Sequence, residues 1–216
     1  FSLRGKPADH PRAGGQLCPG FAAAGAEGGS MRCFLAVELP QAQKATVMAG
    51  LARLKGKLPA ARWVRPEGLH ITLKFLGEQS EAQAASFLEA LTQLLTEVPP
   101  EVKVSLHGGG FFPNAARPRV AWLGGQAPGL EAWAEASEEA ASLIGVARET
   151  RPFSLHVTLA RLERPWPEGA CQRFLQEVAS WQLAPFVARE VVLFESTLGP
   201  GGAVYSERAR IPVGRP

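Results

Sequence analysis

Two nine-residue segments 86 positions apart repeat one order of residue types: Arg65-Pro66-Glu67-Gly68-Leu69-His70-Ile71-Thr72-Leu73 and Arg151-Pro152-Phe153-Ser154-Leu155-His156-Val157-Thr158-Leu159. Positions 65, 66, 69, 70, 72, 73 and 76 each match the residue found 86 places later. In an extended strand, residues i and i+2 point to the same face. Each copy therefore sends an imidazole and a hydroxyl one way and Leu69, Ile71 and Leu73, or Leu155, Val157 and Leu159, the other. Packing explains the apolar set but not the His and Thr opposite it. Two such units facing each other give a groove with two titratable groups and two hydroxyls.

The rest of the chain reads as the same unit twice. Arg32 to Leu39 is a buried strand, and Pro40 suits the first turn of a helix continuing through Lys55. Arg62-Trp63-Val64 is a short strand. His70 to Leu76 is the next, ended by Gly77. Ser80 as N-cap opens a second helix running to about Thr96 and stopped by Pro99-Pro100. Val102 to Leu106 alternates as a strand broken by glycines 108 to 110, and Arg119 to Leu123 is another. Then follow a helix over Gly129–Ile144, the second His-Thr strand over Phe153–Leu162, a helix over Gly169–Ser180, and strands at Val187–Glu195 and Val204–Ile211. The order implies an approximate internal duplication of an α+β unit.

Composition excludes several classes. With 46% apolar residues in 216, most of the chain folds around one substantial core. No run of about 18 apolar residues exists to span a membrane. Cys18, Cys33 and Cys171 are scattered without CxxC spacing, which argues against a disulfide framework or a zinc cluster and fits a reducing cytoplasm. A net charge of +3 and a pI near 9.0 permit an anionic partner without demanding one. Residues 1–30, rich in Gly, Ala, Pro and Arg, are expected to be a disordered extension. The initial Phe suggests an upstream extension or a misplaced start, and the segment lacks the apolar run of a secretory signal.

Paired imidazoles suit in-line displacement at phosphorus. Histidine titrates near pH 6.5, so one ring can take a proton from the attacking oxygen while the other gives one to the departing oxygen. Threonine hydroxyls on the same face can donate to the non-bridging phosphoryl oxygens. Catalytic zinc usually has three protein ligands. The other histidines are His10 in the extension and His107 beside a glycine run, and Glu67 and Glu78 lie off the face set by His70, so neither metal nor cofactor is expected.

The segments Gly68–Glu78 and Arg151–Arg161 resemble the paired HxTx motifs of the 2H phosphoesterases. Among these they most resemble the RNA 2′,3′-cyclic phosphodiesterases, the LigT-like or 2′-5′ RNA ligase proteins. Arg32–Pro40 is similar to that family's opening strand and Arg119–Gly124 to its central one, so the likeness covers Met31 to about Val213. The resemblance implies a single bilobal α+β domain over residues 31–216, with two antiparallel sheets flanking a central cleft and helices outside. It also implies metal-independent opening of an RNA-terminal 2′,3′-cyclic phosphate to a 2′-phosphomonoester, with 2′-5′ ligation as the reverse reaction. The partner would be RNA ends, tRNA fragments among the candidates, and the protein a cytoplasmic monomer.

Carried over, His70 would be the proton donor to the leaving oxygen and His156 the acceptor that activates water. Thr72 and Thr158 would hold the phosphoryl oxygens. Arg161 would steady the phosphate, which strict alternation allows only with a bulge after Leu159. Many relatives have proline before the second histidine, where Leu155 stands here. Phe75 and Phe153 are candidates for base stacking or for the core, with Phe75 expected in the core. Arg117, Arg119, Arg148 and Arg151 are candidates to line an RNA path. The alternatives are the same chemistry on a small cyclic nucleotide, trimming of RNA 3′ ends, or a non-catalytic RNA-binding module, against which both intact His-Thr pairs argue.

Overall fold

A computed structural model describes residues 29–199 and 202–214. The expected disordered extension thus lies, but for its last two residues, outside the described residues. The elements in order are β1 (Met31–Glu38), α1 (Gln41–Lys55), β2 (Arg62–Trp63), β3 (His70–Gln79), α2 (Glu81–Leu94), β4 (Val102–Phe112), β5 (Val120–Gln126), α3 (Leu130–Leu143), β6 (Val157–Arg161), α4 (Glu168–Ala179), β7 (Phe186–Ala188), β8 (Glu190–Gly199) and β9 (Gly202–Pro212). The helices fall where capping and periodicity place them. Ser80, for instance, closes a reciprocal capping box with Gln83 at the start of α2.

All strand pairings are antiparallel, in the order β7-β4-β5-β6-β3-β1-β8-β9, with β2 beside β6. One half is β3, β1, β8 and β9, and the other is β6, β5, β4 and β7. They join at a single pair, Ile71 opposite Val157, so the two expected sheets are continuous and curl about that junction. The duplication is β1-α1-β3-α2 against β5-α3-β6-α4. Strands cross between the halves after each repeat: β4 follows α2 but pairs with β5, and after α4 the short β7 stays with β4 before β8 crosses to pair with β1.

One face of the sheet carries the main core beneath the helices, including Leu35, Ile71, Val157, Leu51, Phe87, Trp133 and Phe174. The open face carries a second, small apolar cluster of Phe34, Ala36, Val192 and Phe194, with Tyr205 against it. No helix among the described residues is long and apolar enough to cross a membrane.

Several boundaries differ from the sequence reading. β3 runs through Gly77 to Gln79, because Gly77 takes φ +72° at a register shift between Cys33 and Phe34 and so forms a bulge instead of a stop. β4 runs through glycines 108 to 110. A Cβ at Gly110 would sit 2.3 Å from the Trp122 ring, so this glycine lets an indole lie flat on the strand. The second His-Thr strand begins at Val157, not Phe153, because β3 and β6 diverge from their one shared pair and leave residues 152–156 without a ladder partner. The expected strand from Val187 to Glu195 is divided at Arg189, where the chain leaves β4 in one half and joins β1 in the other.

Candidate active site

The four motif side chains meet because of how β3 and β6 pair. Ile71 and Val157 are opposite and fully buried on the helix-covered side. Continuing that antiparallel register one step each way sets His70 against Thr158 and Thr72 against His156, all four on the open face. His70 and His156 become diagonal neighbours, a relation that spans about 7–8 Å between strands. Neither threonine hydroxyl has a protein partner among the described residues.

The two imidazoles sit in different surroundings. His156, half-buried, stands at the end of the unpaired stretch, where its Nδ1 lies 2.8 Å from the Ser154 carbonyl oxygen. A carbonyl only accepts, so Nδ1 carries the proton and Nε2 is left with its lone pair. The Phe112 ring meets it edge-on at 4.9 Å and leans on Trp122, which lies over Gly110 and Gly124. His70 sits among aromatic rings, with Phe34 at 4.8 Å, Tyr205 edge-on at 5.4 Å and Phe194 at 6.0 Å. Its Nδ1 is buried with no hydrogen-bond partner among the described residues.

Burial pushes His70 down to about 4, helped by the charges of His156, Lys44 and Arg161 and opposed by Glu38. Glu38 is the β1 residue opposite His70. Its carboxylate accepts from Lys44 Nζ at 2.6 Å and from Arg210 at 2.8 Å. Burial works to raise this carboxyl, but the two hydrogen bonds outweigh it and hold it below the usual carboxylate range. His70 is thus neutral at neutral pH.

Both copies bulge at the same place. Opposite β1 the register passes from Ala36–Thr72 to Leu35–Lys74, and opposite β5 from Trp122–Thr158 to Ala121–Ala160, so Leu73 and Leu159 are the extra residues. After each bulge the alternation is reversed. Arg161, opposite Val120, therefore joins the open face, as its expected role requires, and has no side-chain partner among the described residues. Phe75, its counterpart 86 places earlier, also comes to the open face, 58% exposed against Phe34, which corrects its expected place in the core. Lys74 instead turns beneath the sheet, where it donates to Glu138 at 2.6 Å and to the Ala147 carbonyl at 2.7 Å.

The remaining expectations divide. Phe153 lines a cavity of about 460 Å³ with Gln126, Pro128, Glu131 and Leu155. Arg148 is paired with Glu135, and Arg119 reaches the Glu163 carbonyl at 3.5 Å. Arg117 and Arg151 have no side-chain partner among the described residues. His107 is exposed within β4. No group of three His, Cys, Asp or Glu that could hold a metal ion occurs among the described residues. Sequence reasoning missed Glu38, Lys44, Tyr205 and Trp122. Only Trp122 left a signal, in the glycines that flank it and face it across the ladder.

A family model described as LigT like phosphoesterase matches residues 37–122 and 124–205. A protein of Archaeoglobus fulgidus named RNA 2′,3′-cyclic phosphodiesterase is 33% identical over 82% of this chain and 97% of its own length. One of the same name from Thermus thermophilus is 33% identical over 82% of this chain and 87% of its length. Among solved structures, TT0787 of Thermus thermophilus superposes with a TM-score of 0.68 at 27% identity, over 85% of this chain and 98% of that one. E. coli LigT in apo form gives 0.63 at 25% identity, over 87% and 99%.

Proposed function

The chain belongs to the LigT-like phosphoesterase family, and from that premise we propose that it is an RNA 2′,3′-cyclic phosphodiesterase that opens the terminal cyclic phosphate with water and leaves a 2′-phosphomonoester. The observation that carries this reading is the antiparallel register about Ile71 and Val157, which gathers two imidazoles and two free hydroxyls on one open face. Water attacks phosphorus and loses its proton to Nε2 of His156. The P–O3′ bond breaks, and O3′ takes a proton from Nε2 of His70, so the phosphate stays on O2′. Exchange with solvent then returns both rings to their starting states. Thr72, Thr158 and Arg161 hold the charge on the non-bridging oxygens, where fixed donors act on the transition state. Attack by a 5′-hydroxyl instead of water makes a 2′-5′ linkage by the same two proton transfers, with hydrolysis dominant in water. No step needs a metal, and the enzyme would meet its RNA ends in the cytoplasm.

The environments support the division of labour. The bond to Ser154 leaves His156 with a base at Nε2. The aromatic enclosure of His70 Nδ1 directs the donor proton to Nε2. An anion in the cleft favours the charged form of His70 and so loads the acid as substrate binds. In an NMR titration, the His70 ring protons should shift with a midpoint near 4 in the free protein. Inorganic phosphate should move that midpoint upward. A His70 midpoint in the ordinary histidine range without phosphate would contradict the assignment.

Product analysis tests the reaction itself. A cyclic-phosphate-ended oligonucleotide incubated in EDTA should be converted to the 2′-phosphate at an undiminished rate. Loss of turnover on chelation, or a 3′-phosphate product, would overturn the reaction as written.

A further inference from the structure

The two halves repeat each other along the strands beside the histidines, and then differ. Ala36 pairs with Thr72 and Val37 with Ile71; 86 residues on, Trp122 pairs with Thr158 and Leu123 with Val157. One step further along β1 is Glu38, directly opposite His70. The same step along β5 reaches Gly124. The repeat therefore sets a carboxylate beside one imidazole and no side chain beside the other. A Cβ at position 124 would sit 3.0 Å from the Trp122 ring, so the indole takes the room that a side chain there would need.

Glu38 is not free to turn away. Lys44 of α1 donates to its Oε1 at 2.6 Å and Arg210 of β9 to its Oε2 at 2.8 Å, and Arg210 is itself gripped by Glu190 and Glu207. Side chains directly opposed on a ladder stand about 4.5–5.5 Å apart at Cβ, near enough for a carboxylate to favour an imidazolium. The groups that bear on His70 are Glu38 from β1, Lys44 from α1, and His156 and Arg161 from β6, while β8 and β9 offer the rings of Phe194 and Tyr205. Of these, only Glu38 favours a charge on the ring. We propose that Glu38 is the positioning residue that makes His70 the acid: its pinned carboxylate offsets the surrounding cations, so the ring takes up a proton once a substrate phosphate adds its own negative charge. The other ring, with Gly124 in the matching place, is left as the base. This deepens the reading above and rests on it for the direction of the two proton transfers.

The test is the His70 ring titration by NMR in saturating inorganic phosphate, in two variants that remove charges of opposite sign. Glu38→Gln, which keeps an acceptor for Lys44 and Arg210, should lower the midpoint by about 1 pH unit, and Lys44→Met should raise it by a similar amount. The double variant should return close to the wild-type midpoint. At neutral pH, Glu38→Gln should lose about tenfold in kcat, since one pH unit is tenfold in the protonated fraction. Its KM should be no higher, because the lost charge repels the anion, and Glu38→Asp should restore most of the rate. Upward movement in both single variants would mean that each only lets water reach the ring, and no movement would mean that Glu38 only braces the strands. Either result would overturn the role. The titration needs no turnover, so the two readings separate. Opposite shifts in a protein that opens no cyclic phosphate keep the hold of Glu38 on the ring and reject the reaction, and turnover without those shifts does the reverse.

Discussion

Replacing His156 by alanine should lower kcat on a cyclic-phosphate-ended oligonucleotide by about 10²- to 10⁴-fold, the usual contribution of one positioned acid or base. His70→Ala should cost a similar factor. Because the two proton transfers belong to one displacement, the double variant should fall little below either single one. Folding should survive both changes, since neither ring holds the helix-covered core together. The His70→Ala profile should also lose the pH dependence that comes from loading the acid. Near-wild-type turnover in either variant would refute the acid–base assignment. Ser154 serves as an internal control: its carbonyl orients His156 through the backbone, so Ser154→Ala should leave activity almost intact.

Glu138→Ala should be the most destabilising single change at a polar residue. It strands the Lys74 ammonium, whose side chain is 2% exposed, without its carboxylate, and breaking a buried pair in this way costs about 3–5 kcal/mol. For a domain of this size, thermal unfolding should fall by on the order of 10 °C. The same carboxylate accepts from the backbone N–H of Glu149, and Lys74 holds the Ala147 carbonyl, so the segment leading to His156 loosens as well. Activity should therefore fall ahead of unfolding. Removing both charges together, as Lys74→Met with Glu138→Leu, should recover most of the stability. If the single variant melts like the wild type, the pair does not anchor α3 to β3.

The helices, the duplication and the four motif residues were legible because each rests on a local rule: a cap, a proline, a period. What escaped was the alternation itself. Strict i, i+2 counting sends Phe75 into the core, and a bulge at Leu73 reverses it; the matching bulge at Leu159 was asked for only by the role that the resemblance gives Arg161. A bulge is a relation between two strands and leaves no residue signature when neither strand supplies a glycine there. The glycines misled in the opposite sense. Gly108 to Gly110 read as a break because the Trp122 ring that needs the room lies on another strand. Glu38 and Lys44 were silent for the same reason. Their bearing on His70 comes from a cross-strand register and a helix packed beside it, neither of which one sequence displays.

The exchange of strands between the halves bears on how the protein is made. β1 and β3, with His70, wait for β8 and β9 to complete their half, while β5 and β6 depend on β4 from the preceding repeat. Neither repeat is thus an autonomous folding unit, and contacts of such long sequence separation make for slow closure. A nascent chain that has emerged only as far as α4 already contains all four motif residues but lacks the Phe194 and Tyr205 rings that enclose His70. The ring proposed as the acid acquires its aromatic surroundings only when the last hairpin docks, so maturation of the proposed catalytic centre and completion of the fold are one event.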